Sequence, residues 1–300
     1  MSKRHSYAIG EKAFHNATFI ILLILAILII APVLLIFISS FTDEKTLLNA
    51  GYSFFPKKLS LAAYSTILSQ GSSIFHAYGI TLLVTSLGTL TSVALTVSFA
   101  YPLSRSDFKY RNLFSFIVFF TMLFNGGLVP QYMLWTRYVN IKNTLWALIV
   151  PNRLMGAFNI FLVRNYFKNN VPASLIESAK IDGATEPQVF FKIMIPLAKP
   201  VIATIALYIG LAYWNDWING LYYISNSNLF SLQQLLNRLL ENIQFLSSNS
   251  STLNLGTQFV FPTTAYRMAL AVIGVVPVMV IYPFVQKYLV KGTVIGAVKG

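Results

Sequence analysis

Residues 177–196 hold the most distinctive side-chain pattern in the chain. Glu177-Ser178-Ala179 is followed by Asp182-Gly183-Ala184 and then by Ile193-Met194-Ile195-Pro196, in a polar stretch between apolar ones. One carboxylate, a glycine and a proline at fixed offsets do not make a catalytic set. They suit docking: a short capped helix with small residues, Ser178 and Ala179, lets another surface come close. Spacing alone fits a helix lying on lipid headgroups just as well.

A second group is Tyr213-Trp214-Asn215-Asp216-Trp217. Its indoles suit stacking on sugar rings, and Asn215 and Asp216 suit hydrogen bonds to hydroxyls. Asp216 is the one acidic residue inside an apolar stretch, and a charge in such a place marks a functional position by default. It falls about 24 Å along a helix begun at Pro200, close to a membrane surface, where an aromatic belt and a helix-end carboxylate explain the same residues. Asn125-Gly126-Gly127, with Pro130 after it, is placed to bend another apolar stretch, as a pore-lining kink or for close helix packing. Other chemistry finds no support. His5, His15 and His76 are scattered and there is no cysteine, so no ligand-spaced metal set or thiol site exists. No nucleophile–base constellation and no G-x-x-x-x-G-K-[ST] run is present.

The elements that must position these groups are membrane spans. Hydrophobic residues make up 56% of the 300 residues and charged ones 10%, far below the quarter usual for soluble domains. Such a chain cannot cover itself with polar groups. The fold class expected is therefore an all-α integral membrane protein, since helices satisfy their own backbone in lipid. Six spans of about 20 apolar residues are expected: 17–40, 79–101, 113–136, 143–163, 200–224 and 267–285. The first is too long for a signal-peptide core and lacks a small-x-small cleavage site.

Six spans place both termini on one side. With the N-terminus in the cytoplasm, fourteen lysines and arginines fall inside, among them Lys3, Arg105, Lys168, Lys180 and Lys291, and six outside. The positive-inside rule then sets both ends in the cytoplasm. The chain divides into a cytoplasmic segment 1–16, a span region 17–286 and a tail 287–300. Loop 172–200 lies inside and loop 225–264 outside. The +13 net charge is thus a topology signal, not a nucleic-acid surface. In the outer loop, Leu232, Leu235, Leu236, Leu239, Leu240 and Ile243 recur at helical spacing and predict an amphipathic helix. Arg105, Asp107, Lys109 and Arg111 read as a short inner loop that enforces topology.

Loop 172–200 reads as two helices around a turn. Ser174 and Glu177 have capping-box spacing, as do Thr185 and Gln188. Leu175, Ile176 and Ala179 predict one apolar face, and Val189, Phe190, Ile193 and Met194 another. Gly183 suits a left-handed cap, Pro187 a first helical turn, and Pro196 and Pro200 the passage into the fifth span.

This loop resembles the EAA loop of ABC importer permeases: EAA, three residues, Gly, nine residues, then I-x-L-P. Here the pattern runs Glu177-Ser178-Ala179, Gly183, Ile193-x-Ile195-Pro196, with Ser178 for Ala and Ile195 for Leu. Gln286–Gly292, Gly296–Gly300, Phe55-Pro56-Lys57 and Trp214–Trp217 are similar to segments of MalG-type carbohydrate permeases, above all those for complex oligosaccharides of the LplC, alginate or pectin-fragment kind.

The resemblance implies a type I importer permease fold and a bacterial cell-membrane location. It implies a second homologous permease as heterodimer partner, two ATPase subunits and an extracellular sugar-binding protein. ATP and magnesium would sit on the ATPases, with no cofactor and no catalytic residue on this chain. Ser174, Glu177, Ser178, Ala179, Asp182, Gly183, Ala184, Phe190, Ile193 and Pro196 would couple to an ATPase. Lys291, Gly292 and Lys299 would reach it from the tail, and Asn125 with Tyr213–Trp217 would line the solute path. An importer of the same type for another small solute is the alternative. An ion-coupled secondary transporter fits poorly, because only Arg153 and Asp216 enter spans, neither at a clear midplane position.

Overall fold

The computed structural model describes residues 2–69, 71–248 and 263–297, and among these every element of regular structure is helical, apart from one isolated bridge. Two compact units emerge: residues 1–71 with 240–277, and residues 72–239 with 278–300.

The first unit opens with α1 (Ser2–Ser40). Its side chains from Phe19 to Ile30 are all exposed, as expected of a helix whose solvent is lipid. Two short helices follow, α2 (Glu44–Ala50) and α3 (Ala62–Ser69). The chain between them folds back on the end of α1, where Thr42 bridges Leu59. Glu44 is buried, and its carboxylate accepts the Thr264 and Ala265 N–H groups at 2.9 and 2.8 Å, capping a helix start in the same unit.

The second unit carries the functional residues. α4 (Gly71–Ser104) is a long apolar helix. α5 (Arg111–Leu123) and α6 (Leu128–Met133), the latter extended by a π turn to Tyr138, meet at 115°. The break falls at Asn125-Gly126-Gly127: Gly127 has φ +84°, and its N–H donates to Asn125 Oδ1 at 2.9 Å. α7 (Trp146–Ile149) and α8 (Ala157–Asn170) are separated by a turn through Pro151 and Asn152.

After α9 (Ala173–Ile181) come α10 (Glu186–Val189), a π turn at Phe190–Met194 and α11 (Ile195–Leu197). These turn by 78° into α12 (Lys199–Trp214). α13 (Ile218–Tyr223), α14 (Leu232–Ser248) and α15 (Thr263–Ala297) complete the described chain. The unit's core runs through Val84, Ile149, Val163, Phe167, Val189 and Ile205.

Among the described residues, three helical stretches are long and apolar enough to cross a membrane: Phe14–Ser40, Gly71–Ser104 and Thr264–Pro283. There are five if each bent pair, α5 with α6 and α10–α11 with α12, counts as one. Three expected spans differ from straight helices. The third is sharply bent. The fourth, 143–163, is interrupted where Pro151 lacks an N–H and Asn152 is left-handed, φ +58°. The fifth ends at Trp214, because Asp216 turns inward to an ion pair described below. The amphipathic helix expected in 225–264 is α14, which buries Leu232, Leu236 and Ile243.

Candidate functional site

The elbow α9–α10–α11 is built by its caps. Pro172, not Ser174, is the N-cap of α9: its φ of −61° and ψ of 131° are those of an extended cap residue. The helix therefore starts at Ala173, and Ser174 and Glu177 lie two positions too far along for the expected capping box. Both are exposed. At the far end, Gly183 has φ +81°, its N–H donates to the Lys180 carbonyl at 3.0 Å, and the Ala184 N–H donates to the Ala179 carbonyl at 2.9 Å. This pair of bonds is the Schellman closure that a left-handed glycine permits. Thr185 and Gln188 form the second capping box, with the Thr185 N–H donating to Gln188 Oε1 at 2.8 Å.

The elbow thus has a buried and an open side. Ile176, Val189 and Met194 are buried, with Ala179, Ala184, Phe190 and Ile193 partly so. Leu175, read from the sequence on one apolar face with Ile176 and Ala179, is exposed, and Ile181 is 86% exposed. Ser174, Ser178 and Ile181 share one helical face by their spacing, beside Glu177 and Asp182. The exterior of the elbow is thus an apolar tip among small and acidic side chains. Beside it, Asp182, Gly183, Ala184, Gln188, Lys192 and Ile193 line a depression of about 410 Å³. Pro196 is exposed near the turn into α12.

Behind the elbow stands a charge network that spacing did not reveal. Lys180 Nζ lies 2.6 Å from Glu186 Oε1 and 3.2 Å from Asp107 Oδ2. Arg105 Nη2 lies 2.8 Å from Asp107 and 4.0 Å from Glu186. Tyr101 Oη donates to Glu186 Oε2 at 2.5 Å, while its ring packs on Phe190 with centroids 5.1 Å apart. The Arg105 hydrogen bonds, helped by Lys180, hold the Asp107 carboxyl down at about 2. Lys180, then Tyr101, lower the Glu186 carboxyl, and these carboxylates in turn raise Lys180. The partners lie 73 to 85 residues apart for the Lys180–Asp107 and Tyr101–Glu186 links. The sequence hinted at the network only in placing Arg105 and Asp107 on the same face of the membrane as Lys180.

The second group divides. Tyr213, Trp214 and Asp216 are buried, whereas Asn215 and Trp217 are exposed. Arg153 Nε and Nη2 each lie 3.3 Å from an Asp216 oxygen, and the Asn219 side-chain amide donates to Asp216 at 2.7 Å and to the Pro151 carbonyl at 2.9 Å. Tyr213 Oη donates to the Ile149 carbonyl at 2.8 Å. Trp214 lines an apolar groove with Leu207, Leu211, Ile281 and Tyr282. The polar groups of Tyr213, Trp214 and Asp216 are thus turned into the protein or into apolar surroundings. Asn125 is exposed and linked through Gln131 to Asn152 by bonds of 3.2 and 3.1 Å. Among the described residues no cluster of His, Cys, Asp and Glu could hold a metal. The side chains of Lys291 and Gly292, and Lys299 altogether, lie outside the described residues.

A helical protein with several membrane-crossing stretches and a capped, partly apolar elbow set between them has the form of a transport component. Residues 92–294 match the family described as binding-protein-dependent transport system inner membrane component, and the chain belongs to that family. It is therefore a multi-pass membrane protein. It is 37% identical to protein LplC of Bacillus subtilis (strain 168) over 271 residues, 90% of each chain. It is 34% identical to the polygalacturonan/rhamnogalacturonan transport system permease protein YtcP of the same organism, across 97% of this chain and 99% of that one. The structure of a bacterial ABC transporter involved in the import of the acidic polysaccharide alginate contains a chain with TM-score 0.78 and 29% identity, covering 93% of this chain and 97% of that one.

Proposed function

We propose that the chain is the permease subunit of an ATP-driven importer and forms half of the path for an oligosaccharide handed over by an extracellular binding protein. Similarity to permeases with oligosaccharide and polysaccharide names, across nearly the whole chain, supports this reading. The observation that carries the coupling role is the elbow itself. It is braced by a Schellman closure and a capping box, yet it leaves Ile181 and Leu175 open beside Glu177. A stiff helix with an uncovered apolar tip can receive a push and pass it into α12 without melting.

In this reading the chain crosses a bacterial cell membrane six times in the type I importer arrangement, with bent or broken helices serving as the third, fourth and fifth spans. Both ends and the elbow face the cytoplasm. The elbow residues Ser174, Glu177, Ser178, Ala179, Asp182, Gly183 and Ala184 meet one of two ATPase subunits, while Phe190, Ile193 and Pro196 connect it to α12. The tail with Lys291, Gly292 and Lys299 reaches toward the same partner. ATP and magnesium belong to the ATPases, and a second, homologous permease completes the path. The sugar-facing candidates narrow to Asn125, Asn215 and Trp217, which are exposed. The decisive experiment replaces Glu177 by Lys and purifies the assembled importer. Recovery of the ATPase with the permease should fall sharply; unchanged recovery would sink the coupling role.

A further inference from the structure

We propose that Tyr101, Arg105, Asp107, Lys180 and Glu186 form an electrostatic latch that makes the end of α4 move together with the elbow. The inference rests on the coupling role of the elbow and adds a second route for force. The first route is covalent, from α9 through α10 and α11 into α12. The second is made of side chains. Lys180, on the last turn of α9, pairs with Glu186 across the Gly183 turn and so closes the elbow upon itself. The same ammonium reaches Asp107 in the segment after α4, and Glu186 accepts the hydroxyl of Tyr101 from α4 itself. Arg105 joins the two carboxylates from one side.

Two carboxylates and two cations alternate, so each charge has opposite-charge neighbours within about hydrogen-bonding reach. The position of the network also argues for a mechanical role. Its charges are already paired with one another across the Gly183 turn, so they need not be exchanged when a partner docks. The Tyr101 ring lies against Phe190 and Phe167, with centroids 5.1 and 6.4 Å apart, so the hydroxyl is held on a packed base. Arg164 Nε of α8 donates to the Leu103 carbonyl at 3.1 Å, which ties the end of α4 to the element that leads into α9. Pushing α9 must therefore drag α4 or break several charge-assisted bonds. Tyr101, Lys180 and Glu186 are positioning residues in this account, acting through the helices they join.

The chain has no cysteine, so a pair of introduced cysteines is labelled uniquely within it. Lys109→Cys and Lys192→Cys place spin labels on exposed positions after α4 and on the elbow. The distance between them is measured in the importer purified with its ATPase, at rest and after trapping with ATP and vanadate. In the otherwise unaltered protein the distance should stay the same in both states. In the Asp107→Asn/Glu186→Gln background it should shift or broaden on trapping by more than about 2 Å, the scale of helix shifts in switching proteins. Lys180→Arg, which keeps the charge, should behave like the unaltered chain, and Lys180→Met like the double variant. An unchanged distance in both neutralised variants would overturn the latch, as would a change in the unaltered chain. Failure of the ATPase to co-purify with the unaltered chain would instead sink the coupling reading, and the latch with it.

Discussion

The two charge clusters of this molecule use the same side chains in opposite settings. Asp216 is buried, paired with Arg153 and bonded to Asn219, which also holds the Pro151 carbonyl. Asp107 and Glu186 are half exposed and share Lys180 and Arg105. A buried pair gains little net stability when formed, because desolvation offsets attraction, but removing one partner strands the other. An exposed network contributes little per pair to stability. The first therefore suits a joint that must not move, between the α7–α8 turn and the end of α12. The second suits a link that keeps two surface elements in step.

The strongest test of that contrast is Asp216→Ala. It leaves the Arg153 guanidinium without its carboxylate and removes one of the two acceptors of the Asn219 side-chain amide, and a loss of about 3–5 kcal/mol is expected on the scale of broken buried pairs. Thermal unfolding of the purified protein reads it out. The double variant Arg153→Met/Asp216→Leu should recover most of the loss; if it is no better than the single variant, the pair is more than a structural joint. Next in size is Gly88→Ala. An added Cβ would lie 2.6–2.8 Å from the Tyr213 ring, which cannot withdraw because it is buried with its hydroxyl fixed on Ile149. Overpacking of this kind costs about 1–3 kcal/mol. A melting temperature equal to that of the unaltered chain would show that the α4–α12 contact is looser than the geometry indicates.

The sequence was informative where the signal is local. Asp182-Gly183 and Thr185-x-x-Gln188 specify the elbow's turn and second cap within a few residues, and both form as read. The long apolar runs give α1, α4 and the first part of α15 directly. Where the determining partner is distant, the reading failed. Asp216 is turned inward by Arg153, 63 residues away, and this cuts the fifth span short at Trp214. Spacing put Leu175, Ile176 and Ala179 on one apolar face, but which of them is covered depends on neighbours from other elements. The misplaced cap at Ser174 has a local cause: Pro172, with its fixed φ, takes the cap position first. Arg105 and Asp107 could be assigned a side of the membrane by charge, but not a partner on the elbow.

Gly183→Leu separates the elbow's shape from its charges. A left-handed φ costs an L side chain about 1–2 kcal/mol, and the Cβ itself meets open space. The protein should remain folded in the membrane with a modest loss of stability, while uptake by the assembled importer is lost. Gly183→Asn, which tolerates this conformation, should restore uptake. Normal uptake by the leucine variant would mean that the Schellman closure has no part in coupling.

The smallest effect is expected from the exposed network. Asp107→Asn should change stability by less than about 1 kcal/mol, as solvent-screened pairs usually do. Its pH dependence has a definite sign. The Asp107 carboxyl is held at about 2, first by Arg105 and then by Lys180, below the ordinary carboxylate value. A carboxylate with a depressed pKa contributes stability that is present above its unfolded value and disappears as pH falls through the folded one. The difference in melting temperature between the unaltered protein and Asp107→Asn should therefore be flat from about pH 8 to pH 5 and shrink only below about pH 4. A difference that already shrinks between pH 7 and pH 5 would mean that Asp107 does not hold its two cations together, and the contrast with the buried Asp216 pair would lose its second term.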